Sequence, residues 1–344
     1  MFKKFVVGVG SLACAASAVA ANISGAGASF PAPIYAKWAE TYRAQTGIGL
    51  NYQPIGSGGG VKQIKASTVD FGASDKPLKP RELAAAGLYQ FPTVVGGVVP
   101  MMNLPGIRPG QIRLSGALLA DIFLGKVRRW NAPQIAAINK GVPLPNLPIT
   151  VVHRSDGSGT TFLFTSYLAM KNPIWATDVG ASDAVQWPTG IGGKGNDGVA
   201  AFVKQSPGAI GYVEYAYAKQ NGSTYALLQN KAGAFVAPNA ASFGASAASA
   251  NWLRSPGNYT LLIDPPSPAA WPICGATFIL VHRKQEDAAS GAQVLKFFEW
   301  AYDKGDAMAA GLDYVPLPVM VKRLLKKQWS RSISAGGKPV FTPK

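Results

Sequence analysis

The chain has 344 residues, 48% hydrophobic and 15% charged, and its 33 Lys and Arg against 17 Asp and Glu give a formal charge of +16. Such a basic balance favours anionic partners. The charges are scattered, however, with no Lys/Arg stripe interleaved with aromatics and no nucleic-acid-binding motif, which argues against nucleic acid.

At the N-terminus, Lys3 and Lys4 precede an apolar, Ala-rich stretch that ends Ala18-Val19-Ala20. A basic start, a short apolar run and an A-x-A site predict a secretory signal peptide over residues 1–20. Ser11 stands where a lipoprotein signal usually carries Leu, so Cys14 is not read as a lipid anchor. No later segment approaches the ~18 uninterrupted apolar residues of a membrane span. Removing the signal leaves 324 residues, enough for two lobes of about 150 with separate cores. Cys274 is then the only cysteine, so no intramolecular disulfide forms, and a buried structural thiol is the reading for it.

Along the mature chain, Gly/Ser-rich segments run into helical patterns. Gly25-Ala26-Gly27-Ala28-Ser29-Phe30-Pro31-Ala32-Pro33 leads into a helix over 33–46, where Pro near the start sacrifices no needed N–H. Gly56-Ser57-Gly58-Gly59-Gly60-Val61-Lys62 leads into a helix over 61–67, its glycines letting backbone amides approach a ligand. A buried strand over 93–102, a helix over 116–123 and a strand over 149–152 follow. Arg154-Ser155-Asp156-Gly157-Ser158-Gly159-Thr160-Thr161 then opens a helix over 160–170. Gly190-Ile191-Gly192-Gly193-Lys194-Gly195 reads as a turn capped by Asn196 or Asp197 ahead of a helix over 198–205. Pro188 makes a poor strand before it, which argues against a dinucleotide fingerprint. Beyond lie a strand over 209–213, a surface excursion over 230–250 and a strand over 277–281. Helices over 293–304 and 318–329 close the chain, the last with Lys322, Arg323, Lys326, Lys327 and Arg331 as a solvated basic face. Strands alternating with helices predict α/β lobes.

Three of these segments share one chemistry. Unpaired N–H groups and the positive dipole end make helix starts anion sites, and Arg154 adds a guanidinium. Ser or Thr at one helix start is ordinarily a cap; three such starts, two of them Gly-rich, point to an oxyanion site. Enzyme motifs fit poorly. No Gly-Lys-Ser/Thr triplet occurs, Asp156-Gly157-Ser158-Gly159-Thr160 is not G-x-S-x-G, and only His153 and His282 are available as imidazole bases. No Cys/His cluster has metal-ligand spacing.

The segment 25–33, Asp70-Phe71-Gly72-Ala73-Ser74-Asp75, Asp156-Gly157-Ser158-Gly159-Thr160, Gly193-Lys194-Gly195-Asn196-Asp197-Gly198 and Pro207-Gly208-Ala209-Ile210-Gly211-Tyr212 together carry a family resemblance over nearly the whole mature chain. In them the sequence resembles the periplasmic phosphate-binding proteins (PstS) of high-affinity phosphate ABC transporters. The resemblance implies a two-lobe periplasmic binding protein fold of the type II-like α/β class, each lobe a mixed sheet flanked by helices, with hinge strands between them. Lobe I would comprise 21–98 plus 276–344 and lobe II 99–275. It implies a monomeric, non-enzymatic periplasmic receptor, without metal or cofactor, that passes inorganic phosphate to membrane permease subunits. Ser29, the Phe30 backbone N–H and Ser57 would bind from the first lobe, with Asp75 accepting the anion's own proton. Arg154, oriented by Asp156, would bind from the second with Ser158, Gly159 and Thr160. Ser29 stands where family members often carry Thr, and Gly58 where a second Ser is frequent. Sulfate has no proton to offer Asp75, so this residue would set the preference for phosphate. On the residues alone, a secreted phosphoryl enzyme and an adhesion protein whose Gly/Ser loops are only caps stay open.

Overall fold

The computed structural model describes residues 22–343; the predicted signal peptide lies outside them. A mixed sheet path runs through Leu50–Gln53, Ile23–Gly27, Phe71–Ser74, Ile273–His282, Leu88–Met102, Ala209–Glu214, Thr150–Arg154 and Ile191–Gly193. The strand Leu88–Met102 divides this path into two lobes. From Leu88 to Gly97 it pairs antiparallel with Ile273–His282, Leu88 opposite His282 and Gly97 opposite Cys274. From Val98 to Met102 it pairs antiparallel with Ala209–Glu214, Val98 opposite Glu214. The chain changes partners between Gly97 and Val98.

All fifteen residues of this strand are buried, as a strand covered on both faces must be, which is why its 93–102 part reads as an apolar run without alternation. It begins earlier than the expected 93 because Gln90 is buried too, its amide bonded to Leu78 N and O at 2.9 and 2.8 Å. Cys274 on the partner strand is buried, and burial pushes its thiol up to about 12.

In the first lobe, Ile23–Gly27 lies parallel between Leu50–Gln53 and Phe71–Ser74. Phe298, from the helix Ala288–Lys304, stands 5.2 Å from Phe71 and 5.5 Å from Phe91, and Phe91 stands 4.7 Å from Trp329 on the helix Val319–Ser332. In the second lobe, Thr150–Arg154 lies parallel between Ile191–Gly193 and Ala209–Glu214, and Phe164 stacks on Tyr212 at 4.2 Å. Truncating any one of these rings to Ala costs about 3–5 kcal/mol.

Several sequence expectations are corrected. The helix Ala288–Lys304 starts before 293; Asp287 caps it by accepting from Ala289 N, and small residues in its first turn hide the apolar spacing that emerges at Val294. The segment 230–250 is no loose excursion. It contains the helix Ala240–Ala248, opened by a reciprocal Asn239–Ser242 capping box. Its fully buried Phe243 packs 5.5 Å from Tyr215 and 6.3 Å from Trp271. A Cβ on Gly97 would meet that ring at 2.2 Å, so glycine is required at the crossing point. The C-terminal basic face is only partly solvated. Lys322 is buried, donating to Tyr302 O at 2.8 Å and to Asp306 at 2.5 Å, and Lys326 reaches Asp303 at 3.0 Å. Segment 256–258 lies against the strand Leu88–Met102: Gln90 donates to Gly257 O and Asn258 donates to Gln90 O, both at 2.8 Å. Among the described residues, no helix is long and apolar enough to cross a membrane.

Candidate anion-binding site

In open α/β sheets, ligands sit outside the carboxyl ends of the strands. The ends of Ile23–Gly27, Phe71–Ser74 and Thr150–Arg154 lead directly to Ser29, Asp75 and the 154–160 turn. The helix predicted over 61–67 begins at Ser57, so the Gly-rich segment is itself a first helical turn and its N–H groups are those of a helix start. Helices Gly159–Lys171 and Gly195–Gln205 also start here. Three macrodipoles thus direct their positive ends to one place.

Ser29, Phe30, Ser57, Asp75, Arg154, Ser158 and Thr160 are all at most 3% exposed, and hydrogen bonds link them across the lobes. Ser57 Oγ accepts from Asp75 N at 3.2 Å and from Gly159 N at 3.0 Å. Gly58 N donates to Gly157 O at 2.9 Å. A Cβ on Gly159 would lie 2.6 Å from both Asp75 Cβ and Ser57 Oγ, so the lobes meet this closely only with glycine there. Ser158 caps its own helix, accepting from Thr161 N at 3.0 Å. Phe30 packs edge-on to Tyr314, and its carbonyl accepts the Tyr314 hydroxyl at 2.6 Å.

Arg154 ends its strand with its backbone N–H on the Tyr212 hydroxyl at 3.0 Å. Its Nε and Nη2 donate to Asp156 Oδ1 and Oδ2 at 2.7 and 2.5 Å, a bidentate clamp that leaves the Nη1 edge 3.4 Å from Thr160 Oγ1. The pair is internally neutral, so the pull on an anion comes from this free edge and from N–H and O–H dipoles.

Asp75 makes the opposite demand. Its Oδ1 accepts from Thr277 at 2.6 Å, while Oδ2 has only Ser57 Oγ at 3.5 Å. Burial raises its carboxyl to about 7; the Thr277 hydrogen bond, the Arg154 charge and Ser57 oppose the rise.

Residues 13–304 match the PBP superfamily domain. The phosphate-binding protein PstS of Pasteurella multocida is 53% identical over 94% of this chain and 94% of its own. The chain belongs to the PstS family. PstS of Haemophilus influenzae is 52% identical over 92% of this chain and 95% of its own. The PstS-family chain also shares its fold with PfluDING, a high-affinity periplasmic phosphate-binding protein solved with phosphate bound. The TM-score is 0.71 over 94% of this chain and 100% of that one, at 21% identity.

Sequence reasoning missed several residues of this candidate site in the PstS-family chain. Asn196 lies inside the first turn of its helix and is no cap. Its backbone N–H and Nδ2 donate to Ser29 Oγ at 3.0 and 2.8 Å. It sat in a quoted motif but was masked by the many Asn residues that do cap helices. Thr277 was legible as the one polar residue of its apolar run. Tyr217 left no signal, since only the meeting of the lobes puts its hydroxyl 2.6 Å from Ser29 O.

Proposed function

We propose that this PstS-family protein is an extracytoplasmic receptor that closes two lobes over one inorganic phosphate and delivers it to the permease of an ABC transporter. The observation that carries the reading is two opposed demands in one buried site. The free edge of Arg154 and three helix starts call for an anion; Asp75 calls for a proton on that anion. Phosphate near neutral pH meets both. Sulfate meets only the first.

In this reading Ser29, the Phe30 N–H, Ser57 and Asp75 bind from lobe I (21–98 plus 276–344), and Arg154, Ser158, Gly159 and Thr160 from lobe II (99–275), with Asp156 orienting the guanidinium. The chain crosses where Leu88–Met102 changes partners. The signal peptide over 1–20 exports it to the periplasm, where it acts as a monomer and turns over no substrate. In support of a receptor rather than a hydrolase, both imidazoles are engaged elsewhere. His153 Nδ1 lies 3.1 Å from Arg154 O with its ring stacked on Trp187, and His282 Nε2 lies 2.8 Å from Ile64 O.

Melting curves at pH 8 with phosphate, arsenate, sulfate and a phosphomonoester test this. A ligand at a thousandfold excess over Kd adds about 4 kcal/mol. Phosphate and arsenate should raise the melting temperature and sulfate should not. Equal stabilisation by sulfate, or release of phosphate from the monoester, would overturn the reading.

A further inference from the structure

A hydroxyl oxygen has two lone pairs and one proton. At Ser29 two N–H groups of Asn196 fill the acceptor positions, the backbone N–H at 3.0 Å and Nδ2 at 2.8 Å. Ser29 can therefore face a third group only as a donor. The amide of Asn196 is fixed in this sense, because its Oδ1 accepts Glu214 N at 2.8 Å and its Nδ2 also lies 3.4 Å from Thr160 Oγ1. Exchanging the amide's nitrogen and oxygen would set two donors head to head at Glu214. Asn196 belongs to the second lobe and Ser29 to the first, so this arrangement exists only where the lobes meet.

Resting on the anion-receptor reading above, we propose that Asn196 is a positioning residue that makes the Ser29 hydroxyl an obligate donor to the bound oxyanion, and does so only on lobe closure. Without it, the hydroxyl is free to turn a lone pair toward the anion or to donate to a neighbour. With it, closure itself creates a ligand-facing donor, and part of the anion's affinity becomes an affinity for the closed form.

The test is a double-mutant cycle on the full mature chain, with Kd for inorganic phosphate read by calorimetry. Asn196→Ala should weaken binding about tenfold or more, the worth of one hydrogen bond to a charged group. In a Ser29→Ala background the same substitution should cost almost nothing. Asn196→Asp keeps the acceptor for Glu214 N, and so the local fold, but offers Ser29 a carboxylate to donate to; it should bind at least as weakly as Asn196→Ala. An equal fold-loss from Asn196→Ala with and without Ser29, or wild-type affinity in Asn196→Asp, would overturn the positioning role. If phosphate, arsenate and sulfate all give no heat with the wild type, the anion-receptor reading fails and this inference with it.

Discussion

The Thr277 hydroxyl donates to Oδ1 of Asp75 at 2.6 Å, joining the strand Ile273–His282 to the buried carboxylate of the candidate anion site. Because burial holds Asp75 at about 7 in spite of this bond, the ligand-free protein carries a proton there below that pH. In the proposed reading, sulfate is tolerated only by the protonated acid. Its affinity should be level below about pH 7 and fall about tenfold per unit above, by proton linkage. Calorimetric titration of sulfate from about pH 5.5 to about pH 8.5 checks this; a flat profile would refute it.

Asp75→Asn should abolish that pH dependence and bind sulfate at pH 8, since a neutral amide can donate to a fully deprotonated oxyanion. Thr277→Val keeps the side-chain shape and removes a bond that lowers the Asp75 pKa. The pH at which sulfate affinity begins to fall should therefore move upward. A downward shift would assign the control of Asp75 to another group.

The Arg154–Asp156 clamp is nearly solvent-free, with side-chain exposures of 1% and 13%. Removing one partner of such a pair strands a buried charge and costs about 3–5 kcal/mol. Asp156→Ala should accordingly lower the melting temperature and weaken phosphate binding about ten- to a hundredfold as the guanidinium loses its orientation. Asp156→Asn, which retains an acceptor, should fall between. Unchanged phosphate affinity in Asp156→Ala would show that Arg154 needs no orienting partner.

How much of this was readable beforehand depended on whether a feature was local. The helix over 116–123 matches the observed Gly116–Phe123, because its cap at Ser115 and its apolar face lie within one window. The Gly/Ser segments were visible because Gly and Ser at helix starts are local chemistry. Phe243 was hidden because its helix is built of Ala, Ser and Gly, with one large side chain to mark its face. Lys322 was misread because nothing local announces that Asp306 comes to meet it. Asn196 and Tyr217 matter through contacts with Ser29 that span 167 and 188 residues, and those exist only in the assembled pair of lobes.

Lys76 of the first lobe and Asp183 of the second form an ion pair at 2.6 Å, with side chains 38% and 30% exposed. Screening limits such a pair to about 1 kcal/mol or less, so Lys76→Ala should scarcely change the melting temperature. Since the pair forms across the lobes, its loss should appear chiefly as faster ligand release, up to about fivefold at low salt and less at high salt. Stopped-flow displacement of bound phosphate at two ionic strengths would measure this. A release rate insensitive to both the mutation and salt would remove the pair from the closure equilibrium.

Glu214 sits at the point where the long strand changes partners, paired with Val98 and fully buried. Tyr314 has one hydroxyl proton and two neighbours, the Phe30 carbonyl at 2.6 Å and Glu214 Oε2 at 2.9 Å. The phenol's one proton serves both acceptors, and the hydrogen bond it gives Glu214 Oε2 opposes, without cancelling, the effect of burial on Glu214. Burial drives its pKa well above the usual carboxylate range, with Asp313 nearby pushing the same way. Glu214 Oε1 has no partner, a state that is tolerable for a neutral carbonyl oxygen and costly for a carboxylate. For a carboxyl raised on folding, the native state keeps a proton that the unfolded chain has released. Stability therefore falls as pH rises above the unfolded value, by up to about 1.4 kcal/mol per unit for each such group. Asp75 contributes between 3.8 and about 7, and Glu214 from 4.5 upward. Glu214→Gln removes one of these two terms. With its oxygen accepting from Tyr314 and Ala216 N, its amide NH2 lies where Oε1 has no partner, so it should cost about 1–3 kcal/mol at pH 5. That deficit should shrink or reverse toward pH 8, where the wild type holds a proton against the solvent. Urea unfolding of both proteins at the two pH values decides it: a deficit that stays constant or grows with pH would mean that Glu214 is charged in the folded protein.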